Sequence, residues 1–285
     1  MRRVRAEILS VRRLGAFHTI TLVAPEIAER ARPGQFVAVA MPEERSFFLR
    51  RHFFIHQASK RGGWAGTLEI GFDRRGPGSD WMATRRAHGF LDVIGPLGKP
   101  FAYPRRLTNC LLVAVGRGAA PLYFLGQELR ARGKRVDMLV GAATLEEVFK
   151  PIEGKRLSQT VAFMTEDGSL GERGTVVEVL PDMMERTGSE VIYAAGPRET
   201  LRGVADFCRE RRVPAQVAVE EPMACGLGLC FTCVVPVIRR EGSGYDHLRA
   251  CVDGPVFNPA RILWDRWSPE AQSPPDNPVV RSWPG

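Results

Sequence analysis

The sequence predicts an α/β plus all-β protein: an antiparallel β-barrel over residues 1–102, a parallel-sheet domain over 103–218, a small cysteine-bearing module over 219–258 and an irregular tail over 259–285. Three observations carry this. Short alternating apolar segments, separated by glycine- and proline-bearing connectors, fill the first hundred residues, as in a small barrel. From residue 111 onward, apolar strands alternate with helical stretches, which sets the strands parallel in one sheet. Four cysteines then fall between positions 225 and 251.

Barrel strands are expected at 4–11, 19–23, 35–40, 53–57 and 67–72, and Arg32-Pro33-Gly34 turns the chain into the third. Three stretches here suit a cofactor. Arg51 is followed by His52, Phe53 and Phe54, which sets a guanidinium for phosphate oxygens beside rings for a flat flavin. Gly76-Pro77-Gly78-Ser79-Asp80 can open a helix whose first N–H groups face an anion. The stretch 93–101, VIGPLGKPF, closes the region. Arg-Arg and Gly-Pro pairs are ordinary surface and punctuation one at a time. Their order along the chain is what informs.

In the middle domain, an apolar strand at 111–115 ends in Gly116-Arg117-Gly118-Ala119-Ala120-Pro121. A helix follows with Leu122, Leu125 and Leu129 on one face, then a strand at 135–141. Strand, glycine turn, helix, strand is a Rossmann-like βαβ unit whose turn is placed to receive a pyrophosphate. Only Gly116-x-Gly118 of the full glycine fingerprint is present. Strands at 161–165, 190–195 and 215–219, with helices from 175 and over 200–212, continue the alternation. Gly196 and Pro197, like Gly116, fall at the C-terminal end of a strand, where parallel sheets bind ligands. Ala143-Thr144 after the second strand offers no arginine to a 2′-phosphate, which favours NAD over NADP. Plain αβ turns are the alternative.

The late cysteines are Cys225, Cys230, Cys233 and Cys251, spaced C-x4-C-x2-C and then seventeen residues to the fourth. That is the plant-type ligand pattern of a [2Fe–2S] cluster. Gly226 and Gly228 allow the loop to turn tightly and aim backbone N–H groups at sulfur. Zinc is a competing occupant, although only Cys230 and Cys233 form the usual C-x2-C knuckle. Disulfides would need an oxidising compartment, and no apolar signal core follows the first arginines. Cys110 and Cys208 stand apart as buried bystanders.

With 44% hydrophobic and 25% charged residues over 285 positions, the chain is ordinarily globular. No apolar run of 18 residues exists, so no membrane span is expected, and the cytoplasm is the expected compartment. The net charge of +8 is spread over small arginine clusters, with no nucleic-acid module beside them. Phosphate binding and docking to an acidic partner are the uses expected of some of them. The five histidines lack ligand spacing.

The order of modules now resembles a known family. Arg51 to Phe54 stand where R-x-x-S is expected, and Gly76 to Ser79 where G-x-G-T is expected. Then come a glycine turn with Ala120-Pro121-Leu122, a late Gly196-Pro197, Met223 to Cys233, and Cys251 to Phe257. This succession resembles the electron-transfer subunits of NAD-dependent dihydroorotate dehydrogenases, within the wider ferredoxin–NADP reductase-like family. The likeness spans residues 1–258 and is most specific at 220–233 and 251–257.

What it implies is FAD between barrel and nucleotide domain, NAD(H) on the second domain, and a cluster facing an FMN-bearing catalytic subunit in a hetero-oligomer. Arg51 would take FAD phosphate or ribityl groups, and His52, Phe53 and Phe54 would flank the ring. Gly71, Phe72 and Asp73 would line the same site, with Gly78 and Ser79 at the pyrophosphate. Gly116, Gly118, Gly196 and Pro197 would receive the dinucleotide, and Cys225, Cys230, Cys233 and Cys251 the cluster. The chain departs from the family at Phe54 (usually Ser or Thr), Asp73 (often Arg), Val115 and Arg117 (a G-G-x-G turn) and Ala195 (often Cys). The tail, with Pro269, Pro274, Pro275, Pro278, Trp264, Trp267 and Trp283, lies outside the likeness and is expected to be an arm that grips a partner. The expected function is an electron relay between NAD(H), FAD, cluster and partner. The rivals are a reductase subunit of a sulfite reductase, hydrogenase or transhydrogenase type of complex, and a non-enzymatic iron–sulfur sensor or scaffold.

Overall fold

The computed structural model describes residues 1–41 and 48–267. Six strands close the N-terminal barrel: β1 (Arg2–Leu14), β2 (Phe17–Val23), β3 (Phe36–Val39), β4 (Arg51–Ser59), β5 (Thr67–Asp73) and β6 (Phe90–Leu97), in the order β1-β2-β5-β4-β3-β6. The stretch 93–101, read as a cofactor candidate, largely forms β6. It pairs with β1 and β3 and so closes the barrel.

Two strands position the site, because alternate residues point to opposite faces. On β5, Leu68, Ile70 and Phe72 fill the barrel core, and Glu69, Gly71 and Asp73 face outward. On β4, Phe53 and Ile55 join that core, while His52, Phe54 and His56 face away from it. The outward faces of these two strands are where the second domain docks.

That domain has the parallel strands β7 (Asn109–Val115), β8 (Arg135–Ala142), β9 (Val161–Thr165), β10 (Glu172–Arg173), β11 (Val191–Ala195) and β12 (Ala215–Ala218). β7 lies centrally and is buried on both faces, which explains its continuous apolar run. The helices α3 (Ala119–Ala131) and α4 (Pro151–Leu157) cover one face, and α5 (Val176–Thr187) and α6 (Arg198–Arg211) the other. α1 (Pro25–Ala28) and α2 (Pro77–Ala83) belong to the barrel. Thr175 caps α5 in a reciprocal box with Glu178.

α3 departs from the expected single apolar stripe. Ala119 to Gly126 are buried without interruption, because this helix lies between sheet and barrel, and Phe124 packs into the barrel core. A half-buried polar knot around the buried His56 fixes the same junction. Lys150 Nζ lies 2.6 Å from Glu69 Oε1, 3.0 Å from His56 Nε2 and 3.3 Å from Glu153 Oε2.

The cysteine module is stitched onto the nucleotide sheet. β13 (Val234–Ile238) and β14 (Tyr245–Arg249) form a hairpin, and β15 (Val256–Phe257) pairs antiparallel with β12. The tail differs from the irregular arm expected from residue 259. Single 3-10 turns at Pro259–Arg261 and Trp264–Arg266 bury Trp264 and Trp267, with the Arg198 guanidinium 4.4 Å from the Trp267 ring. Apolar area drives this packing: two indoles fill the gap between α6 and the hairpin. Pro269, Pro274, Pro275, Pro278 and Trp283 lie outside the described residues. Among the described residues no helix is long and apolar enough to cross a membrane.

Candidate functional site

A cleft of about 610 Å³ opens where the three modules meet. Nine of the residues singled out for the flavin line it: Arg51, His52, Phe53, Phe54, Gly71, Phe72, Asp73, Gly78 and Ser79. β4 and β5 present them side by side, and α2 follows directly from β5. Arg51 lies against Gly78, where a Cβ would come within 2.8 Å of its Nε, so glycine gives the guanidinium its place. Ser79 Oγ accepts from the Arg75 N–H at 2.7 Å and donates to the Gly76 carbonyl at 3.1 Å, which shapes the turn.

Sequence reasoning passed over the opposite wall. Glu220, Glu221, Pro222 and Met223 also line the cleft, so the lead-in to the cysteine loop is part of it, and Arg75 joins them from the barrel side. The available signal was positional: Glu220-Glu221 follow the C-terminal end of β12, as Gly116 follows β7. Arg117 spans the gap, bonded through Nε to Glu220 and with Nη1 3.6 Å from Asp73. Asp73 also receives Arg75. Asp73 thus lines the cleft with its carboxylate shared between Arg75 and Arg117, because the period of β5 aims it at the glycine turn. Glu220 Oε1 and Glu221 Oε2 are buried without hydrogen-bond partners among the described residues. Such atoms suit donors on a bound group.

His52 touches both halves of the site. It lines the cleft, and a Cβ on Gly226 would fall 2.2 Å from its Nε2. Burial pushes its pKa down to about 4; the Cys225 backbone pulls the other way, and Arg51 and Arg50 add to the fall. The imidazole is neutral at neutral pH.

Gly116, Gly118, Gly196 and Pro197 do not line the cleft but gather beside it. β7 and β11 are neighbours whose onward connections run in opposite directions, to β8 and to β12. That is a topological switch point, where open α/β sheets bind ligands. Gly118 approaches so closely that a Cβ would lie 2.5 Å from the Ala195 carbonyl and the Gly196 nitrogen. Val115 fills part of this crevice: a Cβ on Gly196 would meet the Val115 Cβ at 2.9 Å.

All six cysteines are free thiols, with Cys110 and Cys208 buried. Cys225, Cys230, Cys233 and Cys251 fall into two pairs. The Leu227 and Leu229 N–H groups both donate to Cys225 Sγ at 3.3 Å. Thr232 Oγ1 donates to Cys230 Sγ at 3.2 Å. That hydroxyl, the Cys225 backbone and the Cys225 thiol bring the Cys230 thiol down to about 6. Cys251 is pushed up to about 12 by burial and then by Cys233 beside it. The pairs are Cys225 with Cys230 and Cys233 with Cys251, the first fed by the Leu227 and Leu229 N–H groups and the Thr232 hydroxyl. They fit a two-iron cluster, in which each iron takes two thiolates. Among the described residues no set of three His, Cys, Asp or Glu side chains closes on a single ion. Around this loop Leu229 is 79% and Phe231 57% exposed.

Residues 220–263 match the model of the iron–sulfur cluster binding domain of dihydroorotate dehydrogenase B. The chain is 34% identical to the dihydroorotate dehydrogenase B (NAD(+)) electron transfer subunit of Desulforamulus reducens, across 85% of this chain and 90% of that one. It is 33% identical to the subunit of the same name from Shouchella clausii, across 86% and 92%. A solved structure of an NADH-dependent reduced ferredoxin–NADP oxidoreductase, studied for flavin-based electron bifurcation, superposes with a TM-score of 0.79 at 26% identity, covering 92% and 91%. Likeness of this extent, running through barrel, switch point and cysteine loop alike, shows that the chain belongs to the family of dihydroorotate dehydrogenase B electron transfer subunits.

Proposed function

We propose that the chain passes electrons between NAD(H), FAD and a [2Fe–2S] cluster, and so to or from a catalytic flavoprotein subunit of the dihydroorotate dehydrogenase type. One observation carries this: a single cleft is walled by the barrel, by Arg117 and Ala120 of the nucleotide domain and by the lead-in to the cysteine loop. A bound flavin supplies the exchange between a two-electron hydride and single electrons.

The residues supply position and charge. Arg51 and Arg75 offer guanidinium groups to phosphate oxygens. Phe54 contributes apolar contact where a hydroxyl would donate a hydrogen bond, so the ring is gripped by packing there. Gly116, Gly118 and Gly196 leave the backbone room that a pyrophosphate needs. Cys225, Cys230, Cys233 and Cys251 hold the cluster, and the exposed Leu229 and Phe231 give its partner an apolar landing surface. A reducing, cytoplasmic compartment fits six free thiols, one of them exposed.

The test is the absorption spectrum of anaerobically purified full chain before and after NADH. Flavin bands and an iron–sulfur envelope, both bleached by NADH, are expected. A cluster without flavin and without a response to NADH would refute the relay and favour a sensor or scaffold. The likeness to the NADH-dependent ferredoxin–NADP oxidoreductase favours a second reading, a reductase subunit serving another complex. Co-purification of the partner subunit separates the two.

A further inference from the structure

The outward face of β4 carries three side chains, two of which meet the nucleotide domain and one the cysteine loop. His56 meets Tyr123 and Phe149 of the nucleotide domain, Phe54 packs against the apolar cores on both faces of that domain's sheet, and His52 meets the cysteine loop. His52 and Phe54, two residues apart, are held at fixed spacing by regular pairing with Ala38 and Phe36 of β3. His52 is the member that has the cleft on one side and the loop on the other.

The contact with the loop is tight. Gly226 has φ +68°, and a Cβ there would sit 2.2 Å from His52 Nε2 and 2.6 Å from Cδ2. The ring therefore rests on the Gly226 backbone, one residue from Cys225. Phe36 holds the imidazole from its own side, ring centroids 5.7 Å apart and nearly perpendicular. Nε2 is buried and has no hydrogen-bond partner of normal geometry among the described residues. Removing the ring would leave a gap between cleft and loop that nothing else on β4 fills, because Phe53 points into the barrel.

We propose that His52 is a positioning residue: its ring is the spacer that fixes the cysteine loop against the flavin cleft and keeps water out of the gap across which electrons pass. This rests on the electron-relay function proposed for the chain. No bond forms or breaks at His52. One electron crosses per transfer, lost by reduced flavin and gained by one iron, and NADH supplies the pair. Supports of this kind around a metal centre are worth about 10–100-fold in affinity or activity when removed, and solvent access tunes iron–sulfur centres directly.

The experiment compares the full chain, H52A and H52F, each anaerobic and loaded with its cofactors. Stopped-flow mixing with NADH follows the flavin and cluster bands separately, and electron paramagnetic resonance records the dithionite-reduced cluster. In H52A the ratio of cluster-reduction rate to flavin-reduction rate should fall about 10–100-fold, with altered g-values or line width. H52F refills the volume without the nitrogens and should restore both toward those of the unmodified chain. Unchanged ratio and unchanged spectrum in H52A would overturn the proposal. So would H52F behaving like H52A, which would give the role to a ring nitrogen instead of the spacing. If the unmodified chain itself shows no NADH-driven reduction, the relay reading fails and not this one alone.

Discussion

Arg117 makes the most informative single perturbation, because one guanidinium joins three modules. It leaves the nucleotide-domain turn, bonds Glu220 ahead of the cysteine loop and reaches Asp73 on the barrel. Arg117→Ala does not strand Asp73, which keeps Arg75. It does strand Glu220, whose side chain is 17% exposed and whose other oxygen already lacks a partner. Leaving a buried acceptor unpaired costs about 1–3 kcal/mol, more for a charge. Arg117 is 39% exposed, so water entering its place moves the figure to the lower half, about 1–2 kcal/mol. Glu220→Gln removes the stranded charge, so the double variant should be less destabilised than the two single losses summed. A coupling of about 1 kcal/mol is expected, above the ~0.3–0.5 kcal/mol within which independent sites add. Urea unfolding of the four forms without cofactors, followed by tryptophan fluorescence, measures it. Additive losses would show that the bridge has no energetic weight, and Arg117 would then be free to serve an incoming dinucleotide.

Three further outcomes are set by the geometry. Serine at Cys225, Cys230, Cys233 or Cys251 should abolish the iron–sulfur absorption, while Cys110→Ser and Cys208→Ser keep it; a cluster surviving any of the first four would refute the ligand set. Gly118→Ala drives a methyl into the Ala195–Gly196 backbone at 2.5 Å, so NAD⁺ affinity measured by calorimetry should fall about tenfold or more, equivalent to about 1.4 kcal/mol, and unaltered affinity would move the dinucleotide elsewhere. Glu153 gives a pH dependence. Burial opposes its ionisation, but His56 and Lys150 outweigh this and bring it from 4.5 to about 2. Because the folded value is the lower one, the stabilisation is fully present above about pH 4.5 and is lost as pH falls toward 2. At about 1.4 kcal/mol per pKa unit it amounts to something on the order of 3 kcal/mol. Glu153→Gln should flatten the acid limb of the stability curve, and an unchanged limb would refute the assignment.

The sequence determined by itself the features that rest on local spacing. The C-x4-C-x2-C run, Gly226 and Gly228 specify a loop that wraps a cluster, whatever surrounds it. The alternation of β5 fixes which side chains enter the barrel, and the apolar run of β7 marks a strand buried on both faces. Tertiary structure decided which separated segments share a site. Arg117, Glu220 and Asp73 are far apart in sequence, and nothing in their local pattern pairs them. They meet because the barrel docks its β4–β5 face onto the glycine turn. Docking also turned α3 from an amphipathic helix into one buried on both sides, and drew Trp264 and Trp267 out of an apparent tail into the core. The physical reason is common to all of these. Burial and charge pairing are properties of two surfaces, and a sequence displays only one surface at a time.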